Sequence, residues 1–154
     1  MGALNNVVPF ALIVSAQTVL TGGLAAILVA ATPFLTLLLA TWLTADERPM
    51  PGRLVGVAVG MAGVAVTIGP AALAGGASPV AQVAVLGAAL FYALAGLYGR
   101  RFAGTPALVV AAGQVTASSA MLLPVMLVAD RPWTLSLPGA PVWAAVAGFG
   151  LFST

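Results

Sequence analysis

Two amides and an aromatic ring share one helical face near the start of the chain, where Asn6, Phe10, Ile13 and Gln17 stand at i, i+4, i+7 and i+11. An uncharged amide both donates and accepts hydrogen bonds. This face is therefore suited to binding a small polar molecule, with Phe10 stacking on it. The alternative role for the same side chains is hydrogen bonding between helices, worth about 0.6 kcal/mol per bond in a membrane. A second polar face carries Gln114, Ser118 and Met121 at i, i+4 and i+7, and here packing between helices is the stronger reading. Tyr92 puts a phenol inside an apolar stretch, where its hydroxyl needs a partner. Pro33 removes one helix hydrogen bond and crowds the carbonyl of Val29, so a kink is expected there. Thr32 and Thr36 stand where their hydroxyls can satisfy the freed backbone.

What the chain lacks narrows its chemistry further. Histidine, cysteine and lysine are absent. This removes the usual general base, the thiolate nucleophile, the commonest metal ligands and any Ser-Lys arrangement. The three acids, Asp46, Glu47 and Asp130, all stand at the ends of apolar segments. An ionisable group at mid-bilayer is the usual mark of a proton relay, and none is placed there. No catalytic residue, metal site or cofactor is expected, and the chain does not read as an enzyme.

The elements that must position these residues follow from composition. Hydrophobic residues make up 62% of the 154 residues and charged ones 5%, with a mean hydropathy of +1.15. A soluble domain carries about 25% charged residues, so lipid is the expected solvent. The net charge of +2 rests on five arginines, too few for a nucleic-acid surface. Turns and charges divide the chain into apolar segments over about 2–20, 24–44, 54–68 (starting as early as Gly52), 80–99 and 107–129, and a shorter one from Val142. A helix needs about 20 residues to cross a bilayer core. The reading is thus all-α and integral to the membrane: a polytopic helical bundle of about five full transmembrane helices plus a partial sixth. No cleavable signal peptide is expected. Arg48, Arg53, Arg100 and Arg101 fall in connectors on one side and Arg131 on the other, which makes the 45–53 and 100–106 connectors cytoplasmic by arginine excess. Gly52, Gly56, Gly60 and Gly63 form a small-residue stripe, expected to be a helix-packing seam.

Longer strings carry a family resemblance. LNNVVPFALIVSAQ (4–17), GLAAILVAATPFLTLLLATWLTADE (23–47) and RLVGVAVGMAGVAVTIGP (53–70) follow one another. Their order is similar to the third, fourth and fifth helices of the first repeat in EamA-type transporters of the drug/metabolite transporter superfamily. Ala25, Ala26, Pro33 and Glu47 stand where that family's fourth helix has its alanine-rich start, its proline and its terminal acid. VLGAALFYALAGLYGRRFAG (85–104) and GFGLFST (148–154) resemble parts of the second repeat. The family has ten helices in two inverted repeats. The resemblance thus implies that residues 1–70 hold the last three helices of one repeat, and residues 79–154 the N-terminal part of the next. It implies a multi-pass protein of the cytoplasmic (inner) membrane that exports small organic metabolites, such as amino acids or drug-like compounds. Asn6, Phe10, Gln17, Pro33, Tyr92 and Gln114 would border the substrate path. The expected partners are the lipid bilayer and a small-molecule substrate, with a homodimer or a complementing fragment to complete the cavity. The alternative is a non-transporting membrane fragment or assembly protein.

Overall fold

The computed structural model describes residues 1–43, 51–68, 78–134 and 136–152. Every regular element among them is helical. A π-helical turn over Ala3–Val7 leads into α1 (Val8–Ala16). Next come α2 (Gly22–Val29), α3 (Thr32–Leu43) and α4 (Pro51–Ile68). Then follow α5 (Pro79–Gly99), α6 (Ala107–Val125) and α7 (Ala140–Phe152). Among the described residues three helical runs are long and apolar enough to cross a membrane: Gly22–Leu43, Pro79–Phe102 and Ala107–Ala129, with mean hydropathies of 2.2, 2.0 and 1.6. These match the segments expected over 24–44, 80–99 and 107–129.

Among the described residues the first and third segments give shorter helices. The first segment is helical only to Ala16 and then turns. Ser15 donates to Leu12 O and Thr18 to Ser15 O, local bonds that compete with continuation of the helix. The 18 residues of α4 rise about 27 Å, slightly under a ~30 Å core. The connectors at 44–50 and 69–77, which hold Asp46, Glu47 and Arg48 and the expected boundary between repeats, lie outside the described residues.

By contacts the chain divides into Met1–Met121 and Leu122–Thr154. In the first unit α5 is the central element and packs against α1, α2 and α3. Its buried face is almost all alanine: Ala81, Ala88, Ala89, Ala93 and Ala95, with Val85 among them. Small side chains let helix backbones approach closely where lipid supplies no hydrophobic drive for association. Val85 sits in a cluster with Ala16, Leu20, Leu24 and Ala25, against which Leu28, Val29 and Ala84 also pack. Thr21 caps α2, its hydroxyl accepting from the Leu24 amide at 3.3 Å. At the N-terminus the chain lies tight against α6: a Cβ on Gly2 would meet Gln114 O at 2.9 Å and Ser118 N at 3.2 Å.

In the second unit Pro124 interrupts the hydrogen bonding of α6, and a π-helical turn follows over Met126–Asp130. Arg131 ends it in the left-handed conformation, at φ 44°. Thr134 closes a turn back onto Arg131 O with its hydroxyl, at 2.8 Å. Gly139 O accepts from Val142 N at 3.0 Å as α7 begins.

Candidate functional site

The expected kink at Pro33 is present as a break. Helix α2 ends at Val29, and α3 starts at Thr32. Proline offers no N–H to the carbonyl four residues back, that of Val29. The Thr32 hydroxyl donates to that carbonyl at 2.6 Å, while Ala31 N turns to Leu28 O at 3.1 Å. Thr36 in turn donates to Thr32 O at 2.8 Å. The freed backbone is thus satisfied from within the same segment.

This break forms one wall of an open groove of about 880 Å³. Ala30 lines it from the break, Pro33 and Leu37 from α3, and Gly56, Gly60 and Met61 from α4. Arg53, in the first turn of α4, and Arg100, which follows α5, also line it. The glycine stripe, expected to be a packing seam, runs along this side of α4. A Cβ at Gly52, Gly56, Gly60 or Gly63 would meet no atom within 4 Å. Helix α4 touches α2 and α3, and Gly56 and Gly60 floor the groove.

The polar residues gather elsewhere. Asn6 Nδ2 donates to Ser118 Oγ at 2.9 Å, and Gln114 Nε2 donates to Asn6 Oδ1 at 3.2 Å. Ser118 is 4% exposed, and its hydroxyl donates a hydrogen bond to Val115 O at 2.9 Å. Asn6 thus accepts from Gln114 and donates to Ser118, so the two polar faces meet through it. Both line a smaller cavity of about 460 Å³, together with Arg100, Phe102 and Thr105. Arg100 is common to the two cavities.

Phe10 and Gln17 do not join them. Phe10 is 54% exposed, and Gln17 is exposed just past the end of α1. Helix α1 ends at Ala16, which leaves Gln17 in the turn that follows. Tyr92 is half-buried on α5. At the end of α5, Arg101 lies over the Tyr98 ring at 5.1 Å, and Tyr98 meets Phe102 edge to face at 5.9 Å. Sequence reasoning left Arg53 and Arg100 as loop charges. Their flanking of an apolar groove depends on how α3, α4 and α5 come together, which no local spacing encodes.

No protein-family model matches the chain, and neither a curated protein nor a solved structure matches it.

Proposed function

We propose that the chain forms part of a secondary transporter, an exporter of small organic metabolites, with the groove at the helix break as its substrate path. The observation that carries this reading is the break before Pro33 in a membrane-crossing run, standing in the wall of a groove of about 880 Å³. Broken helices at membrane depth are tolerated where they line a cavity, and secondary transporters build substrate sites at such breaks. The similarity of residues 4–70 to EamA-type helices supports the same assignment, as does a lining free of mid-helix charge. The amide cluster of Asn6, Gln114 and Ser118 serves on this reading to hold α6 against the start of the chain.

The experiment compares metabolites in the medium of cells expressing the chain with those of cells expressing Pro33→Ala, which restores the missing N–H. A small organic compound should accumulate outside wild-type cells, and much less outside variant cells at equal membrane abundance. Identical media with and without the chain would overturn the proposal.

A further inference from the structure

We infer that the smaller cavity at the start of α6 binds a neutral primary carboxamide carried on a compact apolar body, the amide at Gln114 and Asn6 and the body against Val110 and Phe102. This is a second site, apart from the groove, and it does not rest on the transport reading.

The cavity has a volume of about 460 Å³, within the range of sites for one small ligand. Every residue that lines it is described. From α6 come Ala107, Val110, Ala111 and Gln114, at i, i+3, i+4 and i+7, so one helical face forms the wall. That face rises about 10 Å from Ala107 to Gln114. Phe102 and Thr105 belong to the connector that leads into α6 and stand at the Ala107 end. Asn6 stands at the Gln114 end, where the two amides are bonded.

This amide pair keeps unused bonding capacity. Asn6 Oδ1 accepts twice, from Gln114 at 3.2 Å and from Asn5 at 3.4 Å, and one Asn6 N–H goes to Ser118. A side-chain amide has two N–H groups and a carbonyl oxygen with two lone pairs. Among the described residues, Gln114 Oε1, the second Gln114 N–H and the second Asn6 N–H are therefore left without a partner. Arg100, on the same wall, is already engaged, so the open polar groups at this end are neutral. Two donors beside one acceptor suit a group that accepts and donates through adjacent atoms, and a primary carboxamide does both without charge.

Energetics place the selectivity in the amide. A carboxamide among lipid tails has nothing to bond with, and burying it unpaired is costly. Gln114 and Asn6 return those bonds. The apolar body gains little on leaving lipid tails for an equally apolar wall. Affinity should thus follow the amide and its N–H groups strongly and the size of the body weakly.

The test uses the full chain in phosphatidylcholine nanodiscs with 4-(trifluoromethyl)benzamide as probe, its bound fraction read from the fluorine NMR line width against empty discs. Benzamide should displace the probe; N,N-dimethylbenzamide, benzoate and toluene should not. Gln114→Leu should weaken binding about tenfold, the effect of losing two neutral hydrogen bonds. Ala111→Leu fills the cavity while leaving both amides in place, and it should abolish binding whatever Gln114→Leu does to folding. Ala112→Leu makes the same change on α6 outside the lining and should leave binding unchanged. Equal displacement by toluene or N,N-dimethylbenzamide would reduce the site to an apolar crevice, and equal displacement by benzoate would make it an anion site; each result would overturn the inference. So would equal broadening in empty discs, unchanged binding in Ala111→Leu, or equal loss in Ala112→Leu. Loss of binding in Gly60→Leu but not in Ala111→Leu would move the probe to the groove and do the same.

Discussion

Asn6 donates through its side-chain amide to the hydroxyl of Ser118, 2.9 Å away and 112 residues on in the sequence. The same Asn6 accepts from Gln114 at 3.2 Å, so one amide ties the start of the chain to two successive turns of α6. A double-mutant cycle of Asn6→Ala and Ser118→Ala, followed by unfolding in mixed micelles, should give a coupling of about 0.6 kcal/mol, and no more than about 1.7 kcal/mol. Strict additivity would mean that the two side chains do not meet in the membrane.

The glycines divide into two kinds, and substitution should separate them. A Cβ on Gly2 would stand 2.9 Å from Gln114 O, a contact that real Cβ atoms essentially never make. Gly2→Ala should therefore lower stability by about 1–3 kcal/mol, the usual cost of overpacking. A Cβ on Gly60 meets nothing within 4 Å, so Gly60→Ala should be neutral or stabilise by up to about 1 kcal/mol through helix propensity. Melting temperatures of the two proteins in one detergent decide the matter, and equal losses would return the stripe on α4 to a packing role.

Thr32 and Pro33 form a compensating pair. Thr32→Val removes the donor to Val29 O at a site where Pro33 supplies none, which should cost about 1–3 kcal/mol. Adding Pro33→Ala brings back an N–H for that carbonyl and should recover most of the loss. Thermal unfolding of wild type, the Thr32→Val variant and the double variant tests this; a double variant no more stable than Thr32→Val alone would disprove the compensation.

Orientation can be read by thiol labelling. The turn after α1 and the connector after α5 lie at opposite ends of α5, since Leu20 packs with Ala81 and Val85 while Ala103 follows Phe102. By the arginine rule the Ala103 end faces the cytoplasm. In intact cells a cysteine at Val19, which is 60% exposed, should react with a membrane-impermeant maleimide, and one at Ala103 should be protected. The reverse pattern would invert the topology.

Hydropathy and loop chemistry made three of the helical runs legible almost to the residue, because an apolar stretch between prolines, glycines and arginines has few alternatives in lipid. The helix break was legible too, since Pro33 and Thr32 act through bonds within a few residues. Legibility failed where the first helix stops early: it ends at Ala16, leaving Gln17 in a turn, and Phe10 stays exposed, neither of which the spacing of apolar residues announces. Contacts between distant segments were also hidden. The polar faces of α6 and of the first segment could each be drawn, but their meeting through Asn6 and Ser118 required the fold. The glycine stripe is a related case: GxxxG spacing reports that a close approach is allowed, and which neighbour makes it is not written in the spacing.

The alanine face of α5 has a mechanical consequence. Interlocking between helices normally comes from side chains that stand up as knobs, and the buried face of α5 offers mostly methyl groups. Such a surface is close but smooth, with little corrugation to resist sliding along the helix axis. Val85, fully buried among Ala16, Leu20, Leu24 and Ala25, is the branched exception. It acts as a detent on that face, a branched side chain seated between leucines of the facing segments.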